Sequence, residues 1–353
     1  MPFNPEMMIL ARESRGYTQT DLSTLLPFKQ GTISKIEGGL LEPPPSLVPM
    51  LADTLHYTEE FFEQSDAVWG FNASVFFHRK RQSLPDKILR KLHAQMNLTR
   101  MRANRLFRSV ALSPKFRFHP IEPGEYEGGV VGAARIVRSL WTLPSGPVRN
   151  VTEVIERANG VVFKFDFGTR KADAISEWSP DGVPIFMVNS HPEISGARLR
   201  LTLAHELAHV ILHTQRGEVA SAEKEANEFA AEFMMPRREI KSSLYGLTMA
   251  KLGELKKIWR VSMQALIQRA YELKTITDSQ RKYLFINVGR RGGRIHEPFD
   301  SEIPLEEPTL INDLIQKHVS LGYSAHDLAR LLFFRDVSEF EQQILGVKRL
   351  RLV

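Results

Sequence analysis

The sequence predicts an α+β fold that is mostly helical, and three observations predict it. Apolar residues recur at three- and four-residue steps from Met7 to about Asp66. β-Branched and aromatic runs bounded by Gly, Pro and Asp are confined to residues 160–189, and helical periodicity returns from about Arg198. At 353 residues the chain exceeds the usual size of one domain, so two or three compact units are expected, each with its own core. The absence of cysteine excludes disulfide staples, thiolate metal sites and cysteine nucleophiles, leaving imidazole, carboxylate and hydroxyl groups to do any chemistry. The N-terminus "MPFNPEMMILARESRGYTQ" has no basic flank followed by a sustained apolar stretch, and no later run approaches the ~20 apolar residues of a membrane span. A cytoplasmic protein with no membrane partner is expected. Its formal charge of +6 permits a polyanionic partner without requiring one.

Residues 1–66 read as a five-helix unit. Ile9, Leu22, Leu25, Ile33, Ile36 and Leu51 supply the apolar steps, and Thr18 with Asp21 in "GYTQTDL" forms a capping box. "EGGLLEPPPS" stops one helix and leads into another, "LVPMLADTL". Residues 67–124 follow as a basic helical linker. Positive charge is densest there, at Arg79, Lys80, Arg81, Lys87, Arg90, Lys91, Arg100, Arg102, Arg105 and Arg108, with Asp86 as the only acid among them. Solvated helices bridging two domains and a phosphate-facing surface account for that run equally well. "HPIEPGEYEGG" marks the boundary to a third unit, 125–275. It holds a helix around Val130 to Leu140, three strand candidates ("GVVFKFDF", "DAISEWS", "VPIFMVN"), and helices through "KEANEFAAEFMM" and "KLGELKKIWRVSMQALIQRAYEL". In the remainder, 276–353, "GRRGGRIHEPFDSEIPLEEP" reads as a loop and "INDLIQKHVSLGYSAHDLARLLFF" as two helices of unassigned role.

The chemistry concentrates in "LTLAHELAHVILH", residues 201–213. Residues four apart share a helix face, so His205 and His209 can present imidazole nitrogens to one ion while Glu206 lies beside them. This is the HExxH arrangement of a zinc hydrolase: neutral imidazoles hold Zn2+, the ion acidifies a water, and the carboxylate takes its proton as the water attacks a peptide carbonyl. Binding zinc alone would require no Glu206. Three unpaired polar groups on an apolar helix would otherwise cost ~1–3 kcal/mol each. His213 lies ~12 Å along the helix from His205, too far to share the ion, and is expected to support the ligands or the fold. In "EKEANEFAAEFMMP", Glu223 can complete a His2Glu set from a second helix, as in gluzincins, and Asn227, four residues on, can orient a ligand imidazole. Glu225 is a weaker ligand candidate, Glu228 and Glu232 read as solvated, and Met234 and Met235 as core.

"LRLTLAHELAHVILH" followed by "EKEANEFAAEFMMP" resembles the ImmA/IrrE metallopeptidases, the M78 family, over about residues 125–275. The resemblance implies zinc ligands His205, His209 and Glu223, general base Glu206, and selective cleavage of a repressor- or antitoxin-like protein. Ala208 stands where many relatives carry glycine. The N-terminal "ARESRGYTQTDLSTLLPFKQGTISKIEGG" resembles the Xre/Cro-type helix-turn-helix, with helices at about Gln19–Leu26 and Gln30–Glu37. That resemblance implies double-stranded DNA as a partner, and Gln19 at the start of the second helix supporting Gln30 at the start of the third. Lys29, Gln30, Thr32, Ser34 and Lys35 face outward to bases and phosphates. Pro27 and Phe28 depart from the usual glycine-containing turn.

The expected protein is therefore a homodimeric transcription regulator fused to a zinc-dependent endopeptidase. The alternative is a non-proteolytic repressor or antitoxin whose zinc fold serves only as a sensor or dimer scaffold.

Overall fold

Four short helices open the chain: α1 (Pro5–Ser14), α2 (Gln19–Leu25), α3 (Gln30–Glu37) and α4 (Leu47–Leu55). The computed structural model describes residues 2–69, 84–110, 114–178, 182–216, 220–290 and 296–344. Asn4 Oδ1 accepts the Glu6 N–H at 2.9 Å to start α1, and Thr18 and Asp21 form the reciprocal cap of α2. Leu22, Ile33, Ile36 and Leu51 are buried as the periodicity predicts, whereas Leu25 is exposed and Ile9 only partly covered. Where a fifth helix is predicted, residues Glu59–Glu63 form a 3-10 turn; a single turn suffices to bury both Phe61 and Phe62.

The basic run departs most from expectation. Its described part is one 24-residue helix, α5 (Asp86–Ser109), and it is core. Ala94, Leu98 and Met101 join the N-terminal cluster, while Leu89, Leu92, Met96, Ala103 and Leu106 join a second cluster on the other side. Arg100 and Arg102 are buried, Arg105 pairs with Asp66 at 2.6 Å, and Arg90 and Lys87 reach Glu13 and Asp21 at 3.5 and 3.6 Å. A helix apolar on two faces cannot be a solvated bridge, and its cations are largely committed to internal partners. Arg79, Lys80 and Arg81 lie outside the described residues.

The central region opens with α6 (Gly129–Leu140) and α7 (Val151–Glu156). A three-stranded sheet follows, β1 (Val161–Phe165), β2 (Ala174–Glu177) and β3 (Ile185–Asn189), in the order β1-β3-β2, with β1 parallel and β2 antiparallel to β3. Alternate residues serve two cores. Val162, Phe186 and Val188 face the helices that carry the candidate site, and Val161, Ile185 and Met187 face the cluster shared with α5. Burial of both faces explains why these runs are almost continuously apolar.

Next come α8 (Gly196–Leu212), α9 (Ala222–Met234) and the short α10 (Arg237–Ile240). The stretch "KLGELKKIWRVSMQALIQRAYEL" divides into α11 (Met249–Trp259) and α12 (Met263–Glu272), because Arg260 takes a left-handed conformation (φ 54°) and Ser262 caps a new helix. Residues left without an element by the periodicity form α13 (Asp278–Arg290), so the predicted loop begins inside a helix; residues 291–295 lie outside the described ones.

A strap then runs back over the central region. Lys256, fully buried, is neutralised by Glu297 and Asp300 at 2.9 and 2.6 Å, and buried Arg200 pairs with Glu306. Gly196 admits this strap at the start of α8, since a Cβ there would stand 2.3 Å from the Ile303 carbonyl oxygen. The described residues end in α14 (Leu310–Ser320), α15 (Ala325–Leu331) and α16 (Val337–Gln343), the last unforeseen. Phe333 meets Phe61 edge-on and Phe334 forms a β-bridge with Tyr57, so this end packs on the N-terminal helices. The architecture is thus mostly helical with one small sheet. Among the described residues no helix is long and apolar enough to cross a membrane.

Candidate metal centre

The spacing of the histidines puts them on one face of α8, and small residues let α9 approach it. Ala204 and Ala208 of α8 lie in the same buried cluster as Ala226, Phe229 and Ala230 of α9. Ala208 is fully buried there without a glycine being needed. Ligand atoms of His205, His209 and Glu223 consequently lie within 4.8 Å of one another. His205 Nε2 is 2.9 Å from His209 Nε2 and 3.6 Å from Glu223 Oε2.

Hydrogen-bond partners assign the tautomers. Asn227 Oδ1 can only accept, so His205 Nδ1, 3.0 Å away, carries the proton and Nε2 keeps its lone pair. Glu225 Oε2 lies 3.2 Å from His213 Nε2, which therefore donates. His213 Nδ1 is left to accept from His209 Nδ1 at 2.8 Å, and the lone pair of His209 also falls on Nε2. Burial pushes His213 below its ordinary value despite the pull of Glu225, in keeping with a neutral ring. Two lone pairs face each other at 2.9 Å beside a carboxylate oxygen. That arrangement is repulsive by itself and becomes favourable around a cation, so the residues fit a metal ion of the kind that takes imidazole and carboxylate ligands.

His213, expected to support the ligands or the fold, orients His209. Glu225 is not among the converging groups; it closes this relay and is itself held by Ser221 and Arg216, both at 2.6 Å. Glu232 corrects the solvated reading: it is 1 % exposed and bound by Arg135 and Arg269, tying α9 to α6 and α12. Glu228, by contrast, is exposed, and Met234 and Met235 are core.

Glu206 is buried beside the histidines, and the Ser176 hydroxyl of β2 donates to its Oε2 at 2.8 Å. Sequence reading passed over Ser176; its only signal is a hydroxyl on an otherwise apolar strand. Two clefts of about 550 and 750 Å³ meet at Asn227, Arg269 and Glu272, the first lined by His205 and Glu206 and the second by Glu223. At the rim, Asp173 holds Arg198 through Oδ2 at 2.6 Å while its buried Oδ1 has no hydrogen-bond partner among the described residues.

Two of the residues expected to meet DNA, Gln19 and Gln30, belong to a second polar set. Arg12 makes a two-pronged contact with Glu37 at 2.6 and 2.9 Å, Gln19 Nε2 donates to Glu37 at 2.8 Å, and Gln30 Nε2 donates to Gln19 at 2.8 Å. Lys29, Gln30, Ser34 and Lys35 are exposed, and Thr32 is partly so.

Residues 155–271 match the family model of Peptidase_M78, the IrrE N-terminal-like domain, a family of zinc-dependent metallopeptidase type. The match spans β1 to α12 and includes every residue of the candidate centre. None of the curated proteins matches the chain.

Proposed function

We propose that this protein is a DNA-binding transcription regulator carrying a zinc-dependent endopeptidase, and that it cleaves a repressor- or antitoxin-like protein. The observation that carries the hydrolase reading is the convergence of two imidazole lone pairs and the Glu223 carboxylate beside a buried glutamate. His205, His209 and Glu223 would hold the ion. When bound, zinc supplies a Lewis acid that acidifies water and polarises a carbonyl. Glu206 takes the proton of the attacking water and returns it to the leaving amine, its carboxylate held in place by Ser176. Asn227 and His213 hold the two ligand rings in their working tautomers. The joined clefts give an extended polypeptide room on both sides of this point.

Residues 1–66 would act as the Xre/Cro-type helix-turn-helix. Gln30, braced by Gln19, suits the edge of an adenine; Thr32 and Ser34 suit bases or phosphates, and Lys29 and Lys35 suit phosphates. A homodimer would match a two-fold operator.

The test uses purified protein loaded with zinc and, as substrate, the product of a neighbouring gene, followed by gel. Glu206→Gln should keep its zinc and lose about 10²–10⁴-fold in cleavage rate. Equal cleavage by both proteins, or none by the zinc-loaded wild type, would end the protease reading.

A further inference from the structure

Among the described residues, most buried cations sit against a carboxylate: Arg12 on Glu37, Arg200 on Glu306, Lys256 on Glu297 and Asp300, Arg269 on Glu232. Arg138 has instead the carbonyls of Phe233, Pro144 and Gly146. Arg102 has neither arrangement. It is 7 % exposed, its Nε donates to the Leu332 carbonyl at 3.0 Å, and its guanidinium carbon lies 3.9 Å above the Phe334 ring. Among the described residues it has no ion-pair partner. Burial lowers the guanidinium to about 10.

Arg102 lines a cleft of about 690 Å³ between α5, β1, α14 and the end of α16. Asn312 of α14 also lines this space, although its Oδ1 is buried behind the wall, without a hydrogen-bond donor among the described residues. The remaining wall is mixed: Leu106, Phe163 and Ile311 supply an apolar stretch, and Lys164 and Glu307, paired with each other, stand at its polar side with Gln342 and Gln343. A cation without a carboxylate of its own, set beside an apolar stretch in a cleft whose other charges are paired together, describes the complement of an anionic amphiphile.

We propose that this cleft binds a small amphipathic carboxylate, its acid group on Arg102 and its apolar body along Leu106, Phe163 and Ile311. The occupant touches α5, whose other face packs on the N-terminal helices, and β1 of the sheet that carries Ser176. It is therefore placed to report a small-molecule signal to both regions. The proposal stands independently of the peptidase reading.

The probe is octanoate, titrated calorimetrically into the protein. One equivalent should bind and raise Tm, whereas the methyl ester, which lacks only the charge, should bind at least about tenfold more weakly. Arg102→Gln should cause a similar loss. Because that variant also loses the Leu332 contact, Thr99→Trp serves as a second: it leaves Arg102 in place, fills the cleft and should abolish binding. The proposal is overturned if the ester binds as well as the acid, if both variants bind as wild type does, or if the wild type shows no binding up to about 10 mM.

Discussion

Two polar networks in this protein are built alike and aimed differently. In the N-terminal unit, Arg12, Glu37, Gln19 and Gln30 form a chain that begins on a buried ion pair and ends on an exposed amide. In the central region, Arg216, Glu225, His213 and His209 form another that also begins on an ion pair but ends on a buried imidazole facing a second one. In both, the last side chain is presented by the one behind it, and a fixed rotamer is what recognition and catalysis require. The difference lies in the terminus. Outward projection suits a large external surface, and inward convergence suits a single ion.

The comparison can be broken at its foundations. Glu37→Ala would strand the buried Arg12 guanidinium and should cost about 3–5 kcal/mol of stability, read from urea denaturation by circular dichroism. A loss below about 1 kcal/mol would mean that the Tyr17 carbonyl and Glu13, 3.7 Å away, together satisfy Arg12.

Glu156 sharpens the same point, being a buried acid with no cation opposite it among the described residues. It accepts the backbone N–H groups of Thr309 and Leu310, yet burial pushes its carboxyl up to about 7 from an ordinary 4.5. The folded protein therefore keeps a proton that the unfolded chain releases. This group's contribution is complete below about pH 4.5, falls as the pH climbs, and levels off above 7, a span on the order of 3 kcal/mol. Thermal melts between pH 5 and 8 should show a flatter profile for Glu156→Gln than for wild type; parallel profiles would assign the dependence to other groups.

At the inward terminus, His213→Phe should keep the fold and weaken zinc binding about 10–100-fold, measured by chelator competition. Unchanged affinity would mean that His209 needs no bracing. At the outward terminus, Gln19→Ala should cost about 1 kcal/mol of stability and weaken operator binding, leaving random duplex binding unaltered. Equal loss on both duplexes would separate Gln30 from base readout.

What could be read from the sequence is what depends on residues within a turn or two of one another. The HExxH face, the Glu223–Asn227 pair, the Thr18 cap and the three strands are of this kind, because backbone periodicity alone decides which side chains share a face. The 3-10 turn at Glu59–Glu63 and the break at Arg260 already lie beyond that range, since packing and a single left-handed residue decided them. The destination of each charge was decided only by tertiary structure. Glu232 looks solvated in its helix until Arg135 and Arg269 arrive from α6 and α12, and α5 looks solvated until cores form on both its faces. Ser176 meets Glu206 from a strand 30 residues away, and Arg200 meets Glu306 across 106. The physical reason is that burying a charge is favourable only when distant segments bring its partner, and local pattern carries no record of who that partner is.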